Sequence, residues 1–278
     1  MKSKVKNRVL WAAAVVITLA LVIYQRTTGP TTPVKGTVEI AGETVNYKFL
    51  RTFVVENNAP VELKVENKDV KGVFTFKRYK SYDEWKSLEM EREGDMLKAQ
   101  IPHQPPAGKV EYKVELIYRD EVIQLTEEAV ILRYKGAVPD AVLIPHIFLM
   151  FFSMLFGLRA GLEALFKGDN NRLYVSVVLV TLLIGGLILG PVVQKYAFGE
   201  YWTGWPFGHD LTDNKTAFIF IFWLIAWFMV RKNQLHRTMV LVATVFMIAV
   251  YIIPHSALGS EIDHTKAEEQ NTENVTNN

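Results

Sequence analysis

Cysteine is missing from all 278 residues. That absence excludes disulfides, thiolate-held metals, iron–sulfur clusters, thiol nucleophiles and covalent c-type haem attachment. Neither sign of charge dominates. Lys and Arg number 31 against 29 Asp and Glu, a formal net charge of +2, which gives no argument for nucleic-acid binding. Hydrophobic residues make up 50% and charged residues 22% of the chain, with a mean hydropathy of +0.12. Those averages describe an ordinary soluble protein, yet several long stretches carry no charge at all. The halves of this composition have to be read separately.

The first uncharged stretch runs from Val9 to Tyr24, after Lys2, Lys4, Lys6 and Arg8. It ends in Tyr24-Gln25-Arg26, with no small-x-small cleavage site, and reads as an uncleaved signal anchor within residues 1–30. Four more apolar segments lie within residues 139–258, at about 141–166, 173–193, 216–230 and 238–255. A bilayer core needs about 20 apolar residues. The segment over 216–230 is short, but Lys215 and Arg231 at its ends can snorkel. Basic residues then set the orientation. Lys2 to Arg8, the pair Lys167 and Arg172, and the group Arg231, Lys232 and Arg237 fall on one side if all five segments cross. The expectation is a protein of a bacterial-type cytoplasmic (inner) membrane with the lipid bilayer as its first partner. The N-terminus is inside, and the acidic tail, residues 259–278, is outside and disordered. Gly157 with Gly161, and Gly186 with Gly190, form two GxxxG patterns that let helices approach closely.

Between the first two spans the composition changes. Residues 31–138 hold most of the charge and alternate with period 2, as in Val45/Tyr47/Phe49, Val61/Leu63/Val65, Leu97/Ala99/Ile101 and Val110/Tyr112/Val114/Leu116/Tyr118. Each run reads as a half-buried strand. Turn signals such as Asn57-Asn58-Ala59-Pro60 and Pro105-Pro106-Ala107-Gly108 separate them. Seven or eight short strands predict an all-β sandwich of immunoglobulin or fibronectin type, inserted into an α-helical membrane protein and lying outside the cytoplasm. Tyr79, Tyr82 and Trp85 cluster within it, either as a surface for a carbohydrate or for a partner, such as another membrane or periplasmic protein, or as cover for one edge.

Candidate chemistry gathers on the outer side. His146 follows Leu143-Ile144-Pro145 and His255 follows Ile252-Ile253-Pro254, so each histidine sits after a proline that loosens its helix. Ionisable residues inside a membrane are functional candidates by default. The loop from Tyr196 to Thr216 adds Trp202, Trp205, His209, Asp210 and Asp213 among Gly, Pro and further aromatics. An aromatic belt at the interface accounts for the rings, with Asp213 or Thr212 capping the next helix. Arg159 and Glu163, spaced i,i+4 in the second span, read as a salt bridge or as part of a proton or ion pathway.

The pattern Trp202-x-x-Trp205-x-x-x-x-Asp210-x-x-Asp213-Asn214, followed by a Trp-bearing span, resembles the tryptophan-rich loop of haem-handling proteins in cytochrome c assembly. The likeness is local, covering about 35 residues, and the contiguous Trp-Trp-Asp of those proteins is absent. It implies a haem b bound against Trp202, Trp205 and Asp210, with His146 and His255 as flanking axial ligands. The same residues support other readings. His146, His209 and His255 with Asp210 or Asp213 form a Zn²⁺ set for a membrane hydrolase, which Glu261, Asp263 and His264 could extend or replace. A third reading is a structural or docking protein in which the sandwich acts and the histidines are incidental.

Overall fold

Period-2 alternation folds into sheet between residues 34 and 135, and the apolar runs on either side fold into helices, giving a mixed helix and sheet architecture. The computed structural model describes residues 2–233, 236–253 and 261–266. The chain divides into two compact units, one of Met1–Pro30 and Val138–Ser260, the other of Thr31–Ala137 and Glu261–Asn278.

In the second unit the strands are β1 (Val34–Ile40), β2 (Glu43–Phe49), β3 (Thr52–Val54), β4 (Ala59–Lys64), β5 (Lys71–Arg78), β6 (Lys86–Glu89), β7 (Glu91–Glu93), β8 (Met96–Ile101), β9 (Lys109–Tyr118), β10 (Glu121–Gln124) and β11 (Val130–Lys135). There are more of them than the seven or eight expected, because short pieces such as β3 and β7, three residues each, carry too little alternation to register as strands. One sheet has the order β3-β11-β9-β5-β6, with β10 added to β9; β4-β8-β7 and β1-β2 form two smaller ones. Pairing is antiparallel except between β3 and β11. The alternation predicted for β9 is met by Val110, Tyr112, Val114 and Leu116, all buried. All three sheets bury their apolar faces in one core, where Phe74, Tyr112 and Leu132 join Phe49, Leu63, Leu97 and Ile101.

Two buried tyrosines satisfy their hydroxyls on other strands and connectors. Tyr134 Oη donates to Ile101 O at 2.8 Å and accepts from Ala59 N–H at 3.0 Å. Tyr112 Oη donates to Leu50 O at 2.9 Å. Residues 261–266 belong to this unit. In the sequence they fall in the acidic tail, residues 259–278, for which disorder is the expectation. They instead pack on the β unit because Glu261 finds Lys80 and Lys109 there.

The first unit contains α1 (Lys2–Thr28), α2 (Asp140–Leu165), α3 (Asn171–Thr181), a π-helical segment Leu182–Leu189, α4 (Gly190–Phe198), α5 (Leu211–Lys232) and α6 (Arg237–Ile252). Among the described residues, four helical stretches are long and apolar enough to cross a membrane: Lys4–Thr28, Asp140–Leu165, Asn171–Phe198 and Leu211–Lys232. α6 has 16 residues, about 24 Å at 1.5 Å per residue. The segment predicted over 216–230 gains its first turn from Asp210, whose side chain caps α5 six residues before the charge-free run begins at Thr216.

Contacts between helix ends pair up. At one end Lys6 Nζ donates to Phe166 O at 2.8 Å and Arg237 Nη2 to Gly168 O at 3.2 Å. At the other end Lys215 Nζ donates to Ile253 O at 3.1 Å, and Gln25 donates to Tyr251 O. The start of α1, the end of α2 and the start of α6 therefore lie together, opposite the ends of α1 and α6 and the start of α5. α6 runs between the same two levels as its longer neighbours.

Small residues set the closest approaches. A Cβ on Gly161 would stand 2.6 Å from Thr244 Cγ2, and one on Gly157 2.4 Å from Met247 Cε, so this GxxxG pair lies against α6. The second pair differs. A Cβ on Gly186 would meet Thr216 at 2.8 Å, whereas Gly190 has nothing nearer than 3.7 Å. Gly161→Ala should therefore cost about 1–3 kcal/mol through overpacking and lower the Tm of the detergent-purified protein. Gly190→Ala should leave Tm unchanged or raise it slightly. Equal losses at both sites in a thermal melt would remove helix packing as the cause.

Candidate functional site at the aromatic end of the helical unit

The loop between α4 and α5 is organised by the first turn of the helix that follows it. Asp210 is the N-cap of α5. Its Oδ1 accepts from Thr212 N–H at 2.7 Å and Asp213 N–H at 3.4 Å, which satisfies two of the amides every helix start leaves open. The sequence suggests Asp213 or Thr212 as the cap, whereas the helix starts earlier, at Leu211. Asp213, placed in the first turn by that cap, is turned to the loop instead. Its Oδ2 accepts from Thr203 N–H at 2.7 Å and Gly204 N–H at 3.1 Å. Asn214 Oδ1 accepts from Trp205 N–H at 2.7 Å. Three successive loop amides are thus held by two adjacent helix side chains.

The loop closes on itself by further bonds. Asp210 N–H donates to Thr203 O at 2.9 Å, and Gly208 N–H to Gly204 O at 2.9 Å. Trp202 Nε1–H donates to Trp205 O at 3.2 Å, and Gln194 Nε2–H to Thr203 Oγ1 at 2.6 Å. Gly208 has no room for a side chain, since a Cβ there would stand 2.3 Å from Thr203 O. The rings left outside this knot face outward: Trp205 is 74% exposed and Phe207 84%. Such exposure fits an interfacial aromatic belt.

His146 lies one residue after Pro145 in α2. Its Nδ1–H donates to Gly185 O at 2.8 Å. Gly185 is in the π-helical segment, and its carbonyl also accepts from Gly190 N–H. A Cβ on Gly185 would stand 2.6 Å from Leu149 Cβ, so only glycine lets α2 approach closely enough for this bond.

The predicted site residues are thus distributed as follows. Asp210 and Asp213 are buried and committed to backbone amides. Trp202 is half-buried within the knot, Trp205 is exposed, and His209 is exposed on the loop. His146 is half-buried on α2. His255 lies outside the described residues. Among the described residues no three His, Asp or Glu side chains gather as a metal site requires. Of the predicted set of His146, His209 and His255 with Asp210 or Asp213, the described members do not form such a group, and each carboxylate accepts backbone amides through one oxygen.

A second polar cluster, at the opposite end, is more complete than its sequence signal suggested. Arg159 is 1% exposed. Its Nη1 lies 2.7 Å from Glu163 Oε2, and its Nη2 donates to Asn7 Oδ1 at 2.7 Å. The guanidinium also packs on the rings of Tyr174 at 4.6 Å and Trp11 at 5.5 Å. Glu163 Oε1 accepts from Asn170 N–H at 3.0 Å. Of the two readings of this pair, the salt bridge is the one its contacts describe. In the sequence Trp11 and Tyr174 read only as apolar-helix residues and Asn7 lies in the basic stretch before the first span, because their role requires knowing which helices meet.

Asp213→Ala would leave the Thr203 and Gly204 amides without their acceptor, at about 1–3 kcal/mol. Hydrogen exchange at those two amides should accelerate about tenfold or more, with a smaller change for Asp213→Asn, which keeps one acceptor. Unchanged exchange in the alanine variant would mean the loop is held elsewhere. No known protein family, curated protein or solved structure matches the chain.

Proposed function

We propose that this chain is an integral membrane protein with five transmembrane helices, and that it docks a partner through an extracytoplasmic β-sandwich of immunoglobulin or fibronectin type. The observation that carries this reading is the return of residues 261–266 to the β unit. The β unit precedes α2 and the tail follows α6, so the two share one side of the membrane only if the chain crosses an even number of times between them. α2, the stretch Asn171–Phe198 and α5 supply three crossings. α6 supplies the fourth, and its end-to-end contacts with neighbouring helices support that assignment despite its length.

Charge supports the orientation. Lys6, Phe166, Gly168 and Arg237 meet at one end of the bundle, and Arg8, Lys167, Arg172, Arg231 and Lys232 are their chain neighbours. A basic end reads as cytoplasmic, in the inner membrane of a bacterial-type cell. The sandwich reading rests on the shared core, where the β3-β11-β9-β5-β6 sheet meets strands of the two smaller sheets. A docking role is favoured because Asp210 and Asp213 serve the protein's own backbone, while the β unit already holds a peptide segment.

One observation favours a second reading, a haem-handling protein. The bond from His146 Nδ1–H to Gly185 O leaves Nε2 as the neutral lone-pair donor, the tautomer that axial ligands use. His146 and His255 would then be the ligands of a haem b.

The absence of cysteine makes the topology directly testable. Single cysteines at Glu121 and Lys266 should react with a membrane-impermeant maleimide in intact cells, and one at Asp169 only after lysis. Opposite sidedness for Glu121→Cys and Lys266→Cys would remove the fifth span. For the second reading, protein purified in detergent should show a Soret band that His146→Ala abolishes. A colourless wild-type protein, even after haem is added, would end it.

A further inference from the structure

Four cations meet at one edge of the β unit. β5 ends at Arg78, Tyr79 and Lys80 follow it, and β9 starts at Lys109, with Tyr79 N–H donating to Lys109 O at 3.0 Å. Arg133 on β11 stands directly opposite Lys109 in the register. The ammonium groups of Lys109 and Lys80 lie 5.2 and 5.8 Å from the centre of the Tyr79 ring. Asp83 grips Arg78 with two 2.7 Å bonds, Nε to Oδ2 and Nη2 to Oδ1. That grip holds the Asp83 carboxyl down at a pKa of about 2 and fixes the guanidinium in place.

The chain's own tail occupies this edge. The Glu261 carboxylate bridges Lys80 and Lys109. The backbone N–H groups of His264 and Thr265 both donate to Lys80 O, at 3.0 and 3.2 Å. His264 Nδ1 lies 3.3 Å from Arg78 Nη1. Asp263 Oδ1 accepts from Thr265 N–H at 3.2 Å, capping a single turn. Burial opposes the charge on Glu261, but its bonds to Lys109 and Lys80 outweigh that and keep its pKa below the usual carboxylate value. Burial likewise pushes the Lys109 ammonium down, against the pull of Glu261. Taking a cation partly out of water beside Arg133 is costly unless an anion compensates it.

All these contacts come from residues 261–265, so a free peptide of that length carries every one of them. We infer that Arg78, Tyr79, Lys80 and Lys109 form a binding site for short acidic peptides, which the tail fills in cis and from which an acidic segment of a partner displaces it. The inference rests on the docking reading above and gives it an address and a ligand class. The tether keeps the tail at an effective concentration of about millimolar, so only a competitor that is abundant or tightly bound gains entry.

The test uses the full chain in detergent, a variant lacking residues 261–278, and a fluorescent peptide of residues 259–268. The shortened chain should bind the peptide about tenfold or more tightly than the full chain, which is self-occupied. In the shortened chain, Lys80→Ala and Lys109→Met should each weaken binding about tenfold, as should Glu261→Gln in the peptide. Binding should also fall as salt rises. Variants that melt like their parents but bind the peptide unchanged would overturn the site. So would a shortened chain that is folded and takes up no peptide. Either failure leaves the docking reading standing if Glu121→Cys still labels from outside. Labelling of that cysteine only after lysis would remove the docking reading while the peptide result stood.

Discussion

The helical unit is organised around a single charge that it cannot leave bare. Arg159 is buried to 1% exposure, and a buried guanidinium is costly unless its charge is compensated. Its Nη1 and Nη2 have partners in Glu163 and Asn7, while Nε has no hydrogen-bond acceptor among the described residues. Glu163 comes from the same helix, Asn7 and Trp11 from α1, and Tyr174 from α3. Those contacts require three helices to come together in one register. α1 is accordingly a packed member of the bundle, since without it Arg159 would lose both an acceptor and a ring. Glu163 in turn ties the turn after α2 through Asn170, so the pair also fixes how the chain reverses into α3.

The same requirement acts at the other end on backbone amides rather than a side-chain charge. A loop that follows one apolar helix and precedes another has few polar partners, and Thr203, Gly204 and Trp205 each carry an N–H that must be satisfied. Asp213 and Asn214 meet that need from the first turn of α5. Two carboxylates within four residues look like metal ligands in a sequence. Here one caps a helix and the other clasps a loop, and that division of labour depends on Gly204 and Gly208 admitting the chain where no side chain fits.

What was legible in the sequence follows from the range of each signal. Strand alternation and apolar runs are local, so β4 with its strict alternation of buried and exposed residues, and α2 over Asp140–Leu165, fall close to where spacing puts them. The Arg159–Glu163 pair was visible because i,i+4 is also local. The rest of that cluster was not, as Asn7 is 152 positions away from Arg159. The placement of residues 261–266 is hidden for the same reason. They have no apolar pattern of their own, and the partners of Glu261 are Lys80 and Lys109, 181 and 152 positions earlier.

The glycines of the third helical stretch connect packing to candidate chemistry. In sequence, Gly186 and Gly190 form the recognisable pair, but the close approach belongs to Gly185 and Gly186. Gly185 brings α2 near enough that Leu149 fills the space a side chain would take, and its carbonyl, set in the π-helical segment, receives both Gly190 N–H and His146 Nδ1–H. A wider helical turn spaces its carbonyls differently from an α-helix and is often found where a helix serves a site. The glycine that permits helix contact therefore also fixes which imidazole nitrogen keeps its lone pair. Any ligand His146 takes must approach at Nε2, and a side chain at residue 185 would disturb that orientation without touching the ring.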